Sequence, residues 1–166
     1  TGREITRTPM RRRTHDQRMT DTNSTLKNRV LDHDDDLRDA LEILLQEAIR
    51  RQLWLLFIDD RGCLGAPLMP MDDYPQDPSE IVDVDDLGEV SQAELLMHRI
   101  GMLVNATGNS SAVLAWERRG TTAVRAEDRL WARAMAAAAA ALAVPLRAQF
   151  IVHDAGVRQL HPDDYL

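Results

Sequence analysis

The chain has 166 residues, 44% hydrophobic and 28% charged, which allows one domain with a buried core and excludes wholesale disorder or collagen-like repeats. A single cysteine, Cys63, excludes a disulfide scaffold and a Cys-rich zinc knuckle. The formal net charge of -7 is uneven: residues 1–30 hold eight basic and three acidic groups, the remainder twelve basic and twenty-four acidic.

Residues 1–33 therefore read as a basic, disordered N-terminal arm with Arg11, Arg12 and Arg13 at its centre, and residues 34–166 as a single α/β domain. The arm has no aromatic side chain for stacking on bases, so an unstructured extension is favoured over nucleic-acid association. The longest apolar stretches are too short to span a bilayer, and no charged-apolar-small leader opens the chain. A cytoplasmic protein without membrane contact is expected. One lysine, Lys27, against nineteen arginines is the mark of GC-rich coding, as in actinobacteria.

Asp34, Asp35 and Asp36 predict a helix start, with Leu37, Leu41, Leu44, Leu45 and Ala48 as its apolar face and Arg50 and Arg51 complementing its negative end. Leu53 to Ile58 is a continuous apolar run of strand length, hence a central strand covered on both faces. The Asp59–Gly62 turn leads into a second strand over Cys63–Met69, where Pro67 argues for an edge or a bulge. Eight acids and no bases lie between Pro70 and Val90, and Pro70, Pro75 and Pro78 oppose regular structure in its first half. Ser91 with Glu94 is a capping-box pattern, opening a helix through Leu95, Leu96, Ile100, Leu103 and Val104 that Gly108 closes.

Ala112–Trp116 predicts a short buried strand, Glu117–Thr122 a polar loop, and Ala126 onward a long alanine-rich helix running to Val144 and ended by Pro145. Leu146–Val152 and Val157–Leu160 predict a hairpin about the His153–Gly156 turn. The order helix, strand, strand, helix, strand, helix, strand, strand predicts a mixed sheet flanked by helices, an α/β fold.

This order, with the segment from Ala112 to Leu160, resembles the JAB/MPN metalloprotease fold of cytidine-deaminase-like architecture, most closely the C-terminal domain of bacterial RadC-type proteins. The family motif is His-x-His, seven residues, then Ser-x-x-Asp, between a buried strand and a helix start. Laid on this chain without a gap, its histidines fall on Ala115 and Glu117, its glycine on Gly120, its serine on Arg125 and its aspartate on Asp128. A catalytic zinc needs three protein ligands and an open position. Both imidazoles are lost here, and Arg118, Arg119 and Arg125 predict ion pairing with Glu117 and Asp128 instead. The resemblance thus implies a metal-free, non-catalytic member without a cofactor. It would act as a scaffold or protein-interaction module with a protein partner or as a homodimer. The candidate binding residues are Trp116, Glu117, Arg118, Arg119, Arg125 and Asp128.

Three other chemistries compete. Residues 83–94 approach a calcium-binding EF-hand loop, with Asp83, Asp85, Gly88, Val90 and Glu94 in place but Leu87 where an oxygen ligand belongs. A relocated metal site for a hydrolase would draw on this loop or on His153, Asp154, His161, Asp163 and Asp164. Nucleic-acid association through the arm is disfavoured by the acidic body. Gly-x-Ser-x-Gly, P-loop and dinucleotide motifs are absent from the sequence, and Cys63 sits in an apolar context without activating neighbours.

Overall fold

A computed structural model describes residues 26–166. Helix α1 (Asp34–Leu45) is followed by β1 (Gln52–Ile58) and β2 (Leu64–Met71), and a small hairpin of β3 (Ile81–Val84) and β4 (Gly88–Ser91) leads into α2 (Gln92–Thr107). Strand β5 (Ser111–Glu117), helix α3 (Ala126–Leu142), strands β6 (Leu146–His153) and β7 (Gly156–Leu160) and a short helix α4 (Pro162–Tyr165) complete the chain. The main sheet has the order β2-β1-β5-β6-β7. Strand β1 runs antiparallel to β2 and β5, β5 and β6 are parallel, and β7 returns antiparallel to β6. The sheet is mixed and flanked by helices, as the element order predicted.

Alternation along each strand splits the core into two layers. Leu53, Leu55, Leu114 and Trp116 face α2 and α3 with Met97, Ile100, Trp131 and Met135. Leu56, Ile58, Val113, Ala115 and Phe150 face α1 with Leu37, Leu41 and Leu44. Alanines 132, 138 and 139 of α3 are buried, and their small side chains let the helix lie close on the sheet. Leu26 and Leu31 are buried in the α1 layer, and Val30 bridges Cys63. The expected arm boundary at residue 34 is therefore corrected: Leu26 and Leu31, placed in the arm, are packed in the α1 layer. Arg11, Arg12 and Arg13 lie outside the described residues.

Strand β2 is a sheet edge, and Pro67 sits in an irregularity where three β2 residues oppose Leu56 alone. The edge-or-bulge expectation resolves as both. Helix α1 stops at Leu45, with Gln46 at φ 54°, so Arg50 and Arg51 lie beyond it and do not complement its end. The Ser91–Glu94 capping box forms, Ser91 Oγ accepting from Glu94 N at 3.2 Å and Glu94 accepting from Ser91 N at 2.8 Å. Gly108 closes α2 in the left-handed conformation that a Cβ disfavours. Helix α3 ends two residues before Val144, with Ala143 left-handed, since Pro145 excludes helical geometry at the residue before it.

The β3–β4 hairpin was not expected. Its two four-residue strands occupy the acidic stretch, with Val82 and Val84 turned inward and Ile81, Asp83 and Glu89 exposed. Among the described residues no helix is long and apolar enough to cross a membrane.

Candidate functional site

Strand β5 carries Trp116 and Glu117 to its C-terminal end, and residues 118–125 cross to the start of α3, where Asp128 sits in the first turn. Because side chains alternate along β5, Trp116 and Glu117 enter opposite layers. Trp116 packs against Tyr74 and Trp131, ring centroids 5.3 and 5.5 Å away, and its indole N–H donates to Gln149 Oε1 at 3.0 Å. Burial pushes the Tyr74 phenol up to about 12. The guanidinium of Arg51 stacks on the Tyr74 ring at 3.6 Å and pairs with Glu127 at 2.7 Å. Arg51, read from sequence as a helix-end charge, is instead the outer lid of this aromatic cluster.

Arg118, just past the end of β5, and Asp128, in the first turn of α3, pair with each other. Their side chains are 10% and 7% exposed and meet through Arg118 Nε at 3.1 Å from both carboxylate oxygens and a terminal nitrogen at 2.8 Å from Oδ2. The remaining guanidinium N–H groups donate to the carbonyls of Thr121 at 2.8 Å and Ala123 at 2.7 Å. Asp128 Oδ2 also accepts from Arg125 N at 2.8 Å, capping α3. Arg118 was expected in a polar loop; it is buried, because one planar fork satisfies a carboxylate and two loop carbonyls together.

Glu117 is 3% exposed and lies on the α1 side of the sheet. Its Oε1 accepts from the backbone N–H of Ile49 at 2.7 Å, and its Oε2 accepts from Gln52 Nε2 and from the Trp54 indole N–H at 2.9 Å. The expected convergence of Glu117 with Asp128, and its pairing with arginine, is thereby corrected. Three neutral donors hold Glu117, which anchors the α1–β1 connection. Of the two ungapped histidine positions, Ala115 faces α1 too, so neither shares a face with Asp128. Trp116 and Arg118 do. Period-two alternation of β5 was the signal in the sequence that separates the two pairs.

Arg119 is exposed and pairs with Asp154 at 2.8 Å. The Gly120 backbone and then Arg119 hold the Asp154 carboxyl below its usual range. Gly120 has φ +115°, a backbone conformation that L side chains rarely adopt, so the 118–125 crossing favours glycine at this position, over which the Arg125 guanidinium lies. Two clefts of about 680 and 420 Å³ open elsewhere. The first lies between α3, β6 and α4 beside Arg147 and Tyr165, the second between β2 and α2 beside Met69 and Leu95; neither is lined by Trp116, Glu117, Arg118 or Asp128.

The other metal candidates are dispersed. Residues 83–94 form the β3–β4 hairpin and a helix cap, with Asp86 paired to Arg99 at 2.7 Å and Glu94 engaged in the capping box. His153 is buried with Nδ1 accepting from Ala155 N at 3.2 Å, while Asp164 caps α4 through His161 N and pairs with Arg158. Among the described residues no three His, Cys, Asp or Glu side chains form a group that could hold a metal ion.

Burial, and then the nearby charge of Arg118, hold the His153 imidazole below its ordinary 6.5. Protonation would also set an N–H against the Ala155 donor. The unfolded chain therefore binds this proton more readily, so the His153 contribution is complete above pH 6.5 and is lost as pH falls below it. The urea midpoint should drop between about pH 7.5 and 5.5, above the range where carboxylates titrate. His153→Asn, which keeps an acceptor at the site, should flatten that drop; parallel profiles for the two proteins would contradict the assignment.

No family model and no curated protein matches the chain.

Proposed function

We propose that the chain is a cytoplasmic, non-catalytic JAB/MPN domain of the RadC C-terminal type, acting as a scaffold or interaction module toward a protein partner or a second copy. The mixed five-stranded sheet, the buried strand leading to the α3 start and the Gly120 crossing support the family reading. In this reading the family's ligand face corresponds to Trp116, Arg118 and Asp128, one residue from the ungapped match.

The observation that carries the proposal is the buried Arg118–Asp128 pair. A cation at Asp128 would have to displace a guanidinium that shares both carboxylate oxygens and is itself held by two carbonyls. An indole and a guanidinium replace the imidazoles, so the residues present do not fit zinc. With this pocket filled from within, recognition falls to the surface around it, where Arg119 and Arg125 are exposed.

A ligand that binds only the native state raises the melting temperature. Thermal melts of the full chain with excess zinc, and with a chelator, should superimpose on the untreated melt to within about 1 °C. A rise of several degrees with zinc, reversed by the chelator, would overturn the reading.

A further inference from the structure

Between β2 and α2 the core layer under α2 and α3 stands open. The cleft of about 420 Å³ there has a floor of Leu55, Leu96, Ile100 and Trp131, all buried in that layer, and side walls that include Met69, Met71 and Leu95. Protein interiors rarely keep an apolar gap of this size, because unfilled space forfeits dispersion contacts. A frame of hydrogen bonds keeps this one from closing. Arg51 donates to the carbonyls of Tyr74 at 2.7 Å and Pro75 at 3.1 Å, and the Trp131 indole N–H donates to the Gln76 carbonyl at 3.3 Å. At the start of α2, the backbone N–H groups of Gln92 and Ala93 donate to the carbonyls of Glu80 at 2.9 Å and Pro78 at 3.0 Å. Arg99 of α2 holds Asp86 in the hairpin turn at 2.7 and 2.9 Å. The segment 74–86, which brings Pro75 and Val84 to the cleft, is thus fastened along its length and does not fold inward.

The polar groups of the lining are few, and they define the occupant. Arg99 lines the cleft, but its charge is matched by Asp86. The side-chain amide of Gln92 also lines it, and has no hydrogen-bond partner among the described residues. No carboxylate and no unpaired cation belongs to the lining, so a charged ligand would lose its hydration without gaining a counter-charge. An added peptide strand is opposed as well. The neighbouring edge strand β2 carries Pro67 and Pro70, which lack the N–H that strand pairing needs. An apolar cavity of about 150 Å³ holds one benzene, so this cleft has room for two fused rings or a chain of about ten carbons.

We propose that this cleft is a binding site for a neutral, apolar small molecule of that size carrying one hydrogen-bonding group, which the Gln92 amide receives. Mostly apolar walls with a few placed polar groups are the usual make-up of small-molecule sites. The unbranched side chains of Met69 and Met71 adjust to the outline of the ligand. The site goes beyond the interaction-module reading and shares no residue with the Arg118–Asp128 pair.

Titration of the full chain with N-phenyl-1-naphthylamine, a neutral fused-ring amine whose fluorescence rises in apolar surroundings, tests it when excited beyond the tryptophan band. Saturation at one probe per chain is expected, with a Kd of ~10 μM. Leu95→Trp fills the cleft and should weaken binding ~10-fold or more, as should Leu103→Phe on the same wall. Leu130→Trp, at an exposed position of α3 outside the cleft, should leave it unchanged. Cooperative melts of the filling variants show that folding is intact. In displacement of the probe, 1-naphthol should act at ~5-fold lower concentration than naphthalene, and Gln92→Leu should abolish that difference. A titration without saturation, or an affinity that survives both filling substitutions, would overturn the proposal. Equal displacement by 1-naphthol and naphthalene from the wild-type chain would overturn the role of Gln92. Either result leaves the filled Arg118–Asp128 site, and its zinc test, as they stand.

Discussion

Arg118→Ala should lower the stability of the domain by about 3–5 kcal/mol, read from urea or thermal unfolding, and depress the melting temperature by roughly 10 °C. The reason is asymmetry. Removing the guanidinium leaves the Asp128 carboxylate, 7% exposed, with a single remaining backbone donor, and strips the Thr121 and Ala123 carbonyls of theirs. An uncompensated buried charge costs far more than an intact pair contributes relative to apolar residues. Replacing both partners, Arg118→Met with Asp128→Leu, should therefore recover much of the loss. The unrecovered part reports the two carbonyls and the uncapped Arg125 N–H. A single-variant loss below about 1 kcal/mol would mean the pair is solvated as an ordinary surface ion pair is.

Glu117→Leu should cost about 3 kcal/mol, by leaving the Ile49 N–H, the Gln52 amide and the Trp54 indole without their common acceptor. The effect belongs to the α1 side of the sheet and to the connection between α1 and β1. Hydrogen exchange of the Ile49 amide should accelerate in the variant, while the 118–125 crossing keeps its wild-type protection. Equal acceleration at both places would mean that the two carboxylates share one site after all. Glu117 and Arg118 share no hydrogen-bond partner, so any departure from additivity between Glu117→Leu and Arg118→Ala reports coupling through the backbone they share.

Much of the architecture was legible because it rests on local signals. Continuous apolar runs marked β1 and β5 as buried strands, the Ser91–Glu94 pattern fixed the start of α2, and Gly108 and Pro145 marked where helices stop. The β3–β4 hairpin was hidden by its composition: four acids interrupt its apolar residues, and Val82, Val84 and Val90 are only half-buried. The residues from 26 to 33 looked like the end of a polar arm, yet Leu26 and Leu31 reach a core layer assembled from distant strands.

The grouping expected of the candidate residues was wrong. Every position singled out lies at the β5–α3 crossing, but polarity alone suggested a solvated loop where Glu117 and Arg118 are buried. Their burial depends on partners far along the chain: the donors to Glu117 are 63 to 68 residues away. A gapless motif match set Ala115 and Glu117 beside Asp128, whereas strand alternation sends them to the other layer and brings Trp116 and Arg118 to Asp128 instead. A cation built into the chain, the Arg118 guanidinium, stands against the Asp128 carboxylate.

Elemental analysis of the full-length protein, purified without chelator from zinc-supplemented cells, tests that statement most directly. The guanidinium at Asp128 predicts transition metal far below stoichiometry, under about a tenth of an atom per chain, against the full occupancy of a closed or catalytic zinc centre. One zinc per chain, lost on substituting Asp128→Asn, would contradict it.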